Sequence, residues 1–287
     1  MDFGVDFDLE KAVWTNKRFI PKDEDDLHLE EFNRNGYTIL ENLSDEESVA
    51  YSRKRMDEIY AMQAEDMGGE ENLRVIGDQG LARMLLAYDD HFVDLVFKEE
   101  VISLAKKILG NYFVLFQQNG NLNKPNETAC STPWHRDFNF REYVSSKPLG
   151  ITVLHVIDDF TEENDGIYIL PGSQKHEIFP SFEYVAKNEQ KLYAKAGTVV
   201  VFDSMWFHRS GFNKSKSNRR IVQHMYTLPF LGQQISIPSL LQGRFSNDPF
   251  RRWVLGYNNM THQSILDWRK SKLTNKRNLK DVMVEAS

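Results

Sequence analysis

The segment His135-Arg136-Asp137 places an imidazole and a carboxylate two positions apart. In an extended segment alternate side chains project from the same face, so His135 and Asp137 can reach one ion while Arg136 points away. Two histidines and one carboxylate, with coordination positions left open, suit a non-haem Fe(II) centre that performs oxygen chemistry. The segment therefore supplies two of the three ligands, and a second histidine is needed.

His208 is the best candidate for that second histidine, because it closes the apolar run GTVVVFDSMWFH and precedes a polar turn. The spacing His-x-Asp/Glu is weak by itself, since it also occurs at residues 28–30, in an acidic segment expected to be helical, where residues two apart diverge. The remaining histidines are expected in a helix, in strand interiors, in a turn or in the C-terminal tail: His91, His155, His224, His176 and His262.

Arg219 lies eleven residues after His208, on the apolar run that follows the turn. A planar guanidinium can hold a carboxylate by two parallel hydrogen bonds, so Arg219 is a candidate anchor for the far end of a metal-bound dicarboxylate. Ser210 can add a hydroxyl. Arg220 must face the other way if Arg219 faces the site. From the residues alone, a surface arginine on a strand is an equally good interpretation of Arg219.

The N-terminal part has helical patterns. Ser44 and Glu47 form a capping box, and the apolar spacing after them predicts a helix over about 44–64. The polar segment 64–80 contains four glycines and is expected to be a loop, either a lid or a plain connector. Three- and four-residue spacing over 81–109 predicts one or two further helices.

Between Tyr112 and Pro229 the pattern changes to short runs rich in β-branched and aromatic residues, which predict the strands of a sandwich, jelly roll or barrel. Short helical candidates follow around Trp253 and over 264–268, and the basic stretch 269–280 is expected to be solvated. We therefore expect a single domain over 1–287, divided into a mainly helical part (1–110), a β core (111–230) and a helical or irregular extension (231–287).

Composition excludes several classes of function. The chain has 287 residues, and 35 basic against 42 acidic side chains give a net charge of −7, which argues against a nucleic-acid partner. No run approaches the length of a membrane span. The single cysteine, Cys130, cannot form an internal disulfide, and the N-terminus lacks a secretory pattern, so a cytoplasmic location is expected. The sequence does not indicate an oligomeric state.

Several short motifs occur in a specific order from Phe32 to about Tyr226. They are NGY at 35–37, WHRD at 134–137, the aspartate pair 158–159, LPGS at 170–173, GT at 197–198 and HRSG at 208–211, followed by Arg219. Together they resemble the phytanoyl-CoA dioxygenase superfamily of Fe(II)- and 2-oxoglutarate-dependent oxygenases. Two positions depart from the family pattern, because Gln174 replaces the histidine of PGSH and Arg209 replaces the usual glycine after the distal histidine.

The resemblance implies a mainly β fold with flanking helices and a double-stranded β-helix (jelly roll, cupin-like) core. It implies Fe(II) as cofactor, held by His135, Asp137 and His208, with 2-oxoglutarate and O2 as cosubstrates. It also implies that Arg219 and Ser210 bind the C5 carboxylate of 2-oxoglutarate. Gln117, or a neighbour on the same strand, is expected to help hold the cosubstrate.

The resemblance further implies hydroxylation of an unactivated C–H bond of a small-molecule substrate, with 2-oxoglutarate converted to succinate and CO2. A natural-product tailoring hydroxylase is the preferred interpretation, and an acyl-CoA or lipid hydroxylase is the alternative within the family. Desaturation, ring closure and epimerisation begin with the same hydrogen abstraction and stay open. Two interpretations from other classes also stay open, namely a non-catalytic β-helix that binds a ligand and a zinc hydrolase.

The mouth of the substrate pocket is expected to use aromatic residues near the ligands, Phe138, Phe140 and Trp206, together with the glycine-containing loop near residue 70. Packing in the core is the competing role for Trp206 and for Trp134. Three arginines also lie near the ligands in sequence and either favour an anionic substrate or are structural: Arg136, Arg141 and Arg209.

Overall fold

The computed structural model describes residues 19–129, 131–138 and 142–273. The strands are β1 (Tyr37–Leu40), β2 (Leu81–Arg83), β3 (Val114–Asn123), β4 (Gly150–Val156), β5 (Ile167–Ile169), β6 (Gln190–Leu192), β7 (Val199–Asp203), β8 (His208–Ser210) and β9 (Arg219–Thr227). The helices are α1 (Glu24–Asn35), α2 (Glu46–Asp66), α3 (Glu70–Val75), α4 (Asp90–Val96), α5 (Glu99–Leu109), α6 (Phe182–Asn188), α7 (Ile237–Leu241) and α8 (Pro249–Val254).

Two antiparallel sheets form the core. The larger has the order β1-β7-β4-β9-β3-β2, and the smaller has the order β6-β5-β8. Apolar side chains of both sheets, including Leu154, Phe202 and Ile167, pack into one cluster between them. This arrangement confirms the predicted mainly β class with flanking helices, and the non-consecutive strand order is that of a double-stranded β-helix.

The larger sheet is buried on both faces, so its strands β4 and β7 are mostly apolar rather than alternating. Strand β9 is also mostly buried, but it carries polar side chains among its apolar ones. Its outer face, which includes Val153, Val201 and Tyr226, packs against the apolar stripes of the helices. Tyr226 also donates its hydroxyl to the carbonyl of Val96 at 2.7 Å. The inner face packs against the smaller sheet and also carries polar side chains.

The N-terminal part differs from the prediction in three places. Helix α2 begins at Glu46 with Asp45 as its N-cap, whose carboxylate accepts from the Ser48 amide at 2.8 Å, so the capping box at Ser44 was wrong. The predicted loop 64–80 contains α3, and Glu70 of that helix pairs with Lys124 at 2.5 Å. The predicted helical segment 81–109 begins with β2, because its pairing with β3 overrides the local pattern.

The C-terminal extension is helical where the structure describes it. Helix α8 surrounds Trp253, as predicted, and residues 265–273 are helical. Most of the basic stretch predicted to be solvated lies outside the described residues, as do Cys130, Phe140 and Arg141. Within the described part of the chain, no helix combines the length and apolarity needed to cross a bilayer.

Two histidines are buried on the outer face of the larger sheet. His155 and His224 lie on the paired strands β4 and β9 with ring centroids 4.7 Å apart, and both are almost inaccessible to solvent. His224 Nε2 lies 2.8 Å from the side-chain amide of Gln118, whereas neither ring nitrogen of His155 has a hydrogen-bond partner. Burial lowers the pKa of His155 to about 3, so its ring is neutral in the folded protein.

We expect this pair to make the protein sensitive to acid. Below about pH 6.5 the two histidines become protonated in the unfolded chain but stay neutral in the folded protein. The free energy of unfolding therefore falls as the pH falls towards 3. The slope is about 1.4 kcal/mol per pH unit for each histidine. His155→Phe is expected to reduce the slope by that amount in urea unfolding between pH 7.5 and 4.5, and an unchanged slope would contradict this explanation.

Candidate active site

Backbone pairing brings the two predicted histidine ligands together. His135 and His208 form an isolated antiparallel bridge, with the amide of each donating to the carbonyl of the other at 3.0 and 3.1 Å. Residues paired directly in this way project their side chains from the same side, and the ring centroids lie 4.3 Å apart. Asp137 follows two residues later, with its amide donating to the carbonyl of Ser204 at 3.1 Å.

The three side chains form a compact donor set. The ligand atoms of His135, Asp137 and His208 all lie within 4.8 Å of one another, and His208 Nε2 is 3.6 Å from Asp137 Oδ1. The structure therefore brings together the three residues predicted from the sequence. Two imidazoles and one carboxylate fit the facial arrangement that non-haem Fe(II) centres use.

Hydrogen bonds to the backbone orient both imidazoles. The Nδ1 atom of His135 lies 2.8 Å from the carbonyl oxygen of Pro133, and that of His208 lies 3.0 Å from the carbonyl oxygen of Trp206. A carbonyl can only accept, so Nδ1 carries the proton in each ring and Nε2 presents its lone pair. Each ring is thus held in the tautomer that can bind a metal through Nε2.

The carboxylate of Asp137 is held by two side chains of the larger sheet. Thr152 donates its hydroxyl to Oδ2, and Gln223 donates its amide to Oδ1 at 3.2 Å. Burial, with a smaller contribution from the neighbouring His135, lowers the pKa of His208 to about 4, so this ring is neutral near neutral pH. A neutral imidazole and an oriented carboxylate are the forms that bind a divalent cation.

Arg219 is a buried cation, with an exposure of 3%. Among the described residues its guanidinium donates to two backbone carbonyls, those of Asn164 and, at 3.5 Å, Gly211. Desolvation lowers the pKa of this guanidinium to about 10. In the described part of the chain no carboxylate pairs with it, so an external anion can supply the missing countercharge. The C5 carboxylate of 2-oxoglutarate fits that requirement.

The surroundings of Arg219 contain the predicted Ser210, two neighbours of Gln117 on β3, and other residues that the sequence did not indicate. Ser210 lines the same narrow space, and its hydroxyl lies 2.8 Å from that of Ser131. Asn121 and Asn123 of β3 also line it. They share a strand face with Gln117, and period-two alternation along β3 could have indicated them.

Gln117 is not brought to this space. It pairs in register with Met225, and its amide contacts the sulfur of that residue at 3.6 Å. Asn123 is the residue of β3 that lies opposite Arg219. Gln117 is therefore six residues, about 20 Å of strand, from the Arg219 end of the sheet.

Residues 32–221 match the phytanoyl-CoA dioxygenase (PhyH) family. The chain belongs to this family. The matched range contains the triad and Arg219, so the prediction of a dioxygenase is confirmed at the level of the PhyH family.

Similar proteins agree with this assignment. An uncharacterized protein of Mycobacterium tuberculosis is 31% identical over 206 residues, which cover 70% of this chain and 74% of the relative. The L-proline trans-4-hydroxylase of Streptomyces griseoviridis is 24% identical over 232 residues, which cover 68% of this chain and 83% of the relative. Each of these relatives is matched over most of its length.

A solved structure shares the fold. EctD from S. alaskensis with bound Fe superposes with a TM-score of 0.58 and 19% identity, over 75% of this chain and 79% of that one. A second structure of EctD contains 2-oxoglutarate and 5-hydroxyectoine, with a TM-score of 0.57. Iron and 2-oxoglutarate are thus the ligands of a structural neighbour, and the triad of this PhyH-family protein fits the same metal.

Other arginines near the triad of this PhyH-family protein are structural. Arg136 points away from the ligands, as predicted, donates to the carbonyl of Met205 at 2.7 Å and stacks on the ring of Phe207 at 4.0 Å. Arg209 stacks on Tyr168 at 3.5 Å. Arg220 faces away from Arg219, as predicted, and pairs with two aspartates on the outer side of the sheet, Asp57 and Asp158.

A cavity of about 510 Å³ opens beside His135. Its walls carry four aromatic side chains: Trp134, Phe138, Phe179 and Phe207. Phe138 and Trp134 therefore both line the cavity beside His135. Trp206 does not, because it is fully buried and stacks on Tyr37 at 5.0 Å, so the expectation that it forms the pocket mouth was wrong.

The expected lid also lies elsewhere. None of the described residues of the segment 64–80 lines the cavity beside His135, and Gln79 and Gly80 instead border the space around Arg219. Gln174, which departs from the family pattern, is buried, and its side-chain amide lies against Gly36 rather than against the triad. Neither feature therefore lines the cavity beside His135.

Proposed function

We propose that this protein is an Fe(II)- and 2-oxoglutarate-dependent hydroxylase that acts on a small molecule, in the tailoring of a natural product. The main support for the proposal is that strand β8 carries both a proposed metal ligand and a residue of the proposed anion site. His208 and Ser210 lie two residues apart, and Ser210 borders the space around Arg219. Two residues of strand span roughly 7 Å, the length scale of a five-carbon dicarboxylate.

Each group of this chain then has a defined role. His135, Asp137 and His208 hold the iron, and Arg219 with Ser210 holds the far carboxylate of 2-oxoglutarate. When bound, iron with 2-oxoglutarate and O2 supplies the oxidation, in which the substrate C–H becomes C–OH and 2-oxoglutarate becomes succinate and CO2. The aromatic walls beside His135 position the substrate and exclude water.

Relatives favour a small-molecule substrate. Named relatives of this chain include an L-proline trans-4-hydroxylase and an ectoine dioxygenase. Free metabolites are the substrates that those names state, which supports a tailoring hydroxylase over the acyl-CoA or lipid hydroxylase that stays the alternative. Cytoplasmic location stays a prediction.

An anaerobic titration tests the reaction class. Adding 2-oxoglutarate to the Fe(II)-loaded protein is expected to produce a visible charge-transfer band, since a keto acid chelated to Fe(II) absorbs in this region. Succinate should then form when O2 is admitted with a substrate. A titration without any band would overturn the proposal.

The same experiment separates the interpretations from other classes. A non-catalytic ligand-binding β-helix predicts a band but no succinate with any member of a broad metabolite panel. A zinc hydrolase predicts no band, turnover without O2, and no defined role for the buried Arg219.

A further inference from the structure

The internal strands β3 and β9 are buried except at four positions, where the side chains are partly exposed: Gln117, Asn121, Ile221 and Gln223. All four lie on the inner face of the larger sheet, because they occupy alternate positions that pair in register across the two strands. Gln223 donates to Asp137 Oδ1 at 3.2 Å, so this face reaches the proposed metal site. An accessible space inside the fold therefore adjoins the triad.

The strand register fixes the order of the side chains along this face. Arg219 lies at one end, and Gln223 comes four residues later on β9, opposite Asn119 of β3. Gln117 lies two residues beyond Asn119, roughly 7 Å further from Arg219. Since 2-oxoglutarate is proposed to extend from the triad towards Arg219, the opposite side, at Asn119 and Gln117, is left for the substrate.

The side-chain amides on that side are poorly satisfied. Asn119 is 4% exposed, and its Oδ1 atom is buried without a hydrogen-bond partner among the described residues. Gln117 donates its amide to the sulfur of Met225 at 3.6 Å, and a thioether is a weak acceptor. A buried carbonyl oxygen without a partner is unfavourable, so a ligand that donates a hydrogen bond to Asn119 would gain by satisfying it.

This part of the inner face also carries no charge. Over 117–123 of β3 and 221–225 of β9, all of them described, the inward side chains are amides together with Ile221 and Met225. The charge of Asp137 is committed to the proposed iron. A carboxylate or an ammonium group placed against these side chains would lose its hydration without gaining a countercharge, so the face favours an uncharged polar group.

We infer that the primary substrate presents an uncharged hydrogen-bonding group, an amide or a hydroxyl, to Asn119 and Gln117, with the C–H bond to be oxidised beside the triad. This inference rests on the proposed function, because it takes the triad as the reacting centre. It separates this chain from the L-proline trans-4-hydroxylase among its relatives, since a free amino acid carries two charges for which this face offers no partner.

Three probes with one ring test the inference: cyclohexanecarboxamide, cyclohexanemethanol and cyclohexanecarboxylate. Each is titrated into protein loaded with Fe(II) and saturating 2-oxoglutarate under anaerobic conditions, and its affinity is measured by ligand-observed NMR. We expect the amide or the alcohol to bind at least about tenfold more tightly than the carboxylate, which has no proton to donate to Asn119. The tighter of the two uncharged probes identifies the group that the site takes.

Asn119→Leu removes the amide and keeps a side chain of similar length. It should weaken the uncharged probes by about tenfold or more and leave the carboxylate within about twofold. Because it also removes a buried atom without a partner, the unliganded variant should unfold at the same temperature as the original protein or at a higher one. Asn33→Leu, at an exposed position of α1, is the matched control and should change none of the affinities.

Gln117→Leu gives an independent arm and should weaken the uncharged probes severalfold. Uncharged probes that bind no more tightly than the carboxylate, or that do not bind, overturn the inference. An Asn119→Leu variant that is destabilised but binds all probes normally also overturns it, since Asn119 would then be structural. The charge-transfer band is recorded on the same samples. A protein that shows the band without discriminating the probes refutes the substrate inference alone, whereas a protein without the band refutes the proposed function.

Discussion

His135→Ala is expected to abolish the Fe(II)–2-oxoglutarate charge-transfer band and to lower turnover by at least about a hundredfold. The loss of a residue that merely supports a metal ligand already costs 10–100-fold, so the loss of a ligand costs at least as much. His135 is partly exposed, so its removal leaves the core intact. Metal content by mass spectrometry and the band during anaerobic titration measure the effect.

His262→Ala is the control, because this histidine lies in the C-terminal extension and contacts Asp267 there. It should leave both the iron content and the band unchanged. Thr152→Val removes a hydrogen bond to Asp137 and should give an intermediate loss of iron affinity, about 10–100-fold. If His135→Ala retained stoichiometric iron and a normal band, the triad would not be the metal site.

Arg219→Leu is expected to weaken 2-oxoglutarate binding by about a hundredfold or more. Two charge-assisted hydrogen bonds contribute about 1.5–3 kcal/mol each, and every 1.4 kcal/mol corresponds to a factor of ten. The substitution also removes a buried cation that forms no ion pair with a carboxylate of residues 19–129, 131–138 or 142–273, so the unliganded variant should be at least as stable as the original protein. Thermal unfolding with and without 2-oxoglutarate shows both effects.

Arg220→Leu is the matched control on the adjacent residue. It breaks the pairs with Asp57 and Asp158 on the outer side of the sheet, so it should destabilise the protein and leave the affinity for 2-oxoglutarate unchanged. A protein in which Arg219→Leu still gained thermal stability from 2-oxoglutarate would show that the anion binds elsewhere.

The triad and the long strands could be predicted from the sequence because both have strong local signals. His135 and Asp137 are two residues apart on one segment, and the runs rich in β-branched and aromatic residues that became β4 and β7 are mostly apolar. His208 was identifiable because it ends such a run. The pairing of two distant segments into a bridge needed the resemblance to a family, since spacing alone does not fix which strands meet.

The sequence did not indicate the elements that depend on tertiary contacts. Strands β2, β6 and β8 are three residues long, too short for a period-two pattern to be distinguished from a turn. Helix α3 forms within a glycine-containing segment, and its Glu70 forms an ion pair with Lys124, which is distant in the sequence. The sequence indicated that β3 borders Arg219 but not which of its residues do so, because a polar run does not fix the register of β3 with β9.

Alternate residues of strand β9 face opposite sides of the larger sheet. Arg219 and Gln223 face the proposed site, where Gln223 contacts Asp137, whereas Arg220, His224 and Tyr226 make contacts on the opposite face. Substitutions of Arg220, His224 and Tyr226 are therefore expected to lower the stability of the fold, whereas substitutions of Arg219 and Gln223 are expected to act on the proposed site.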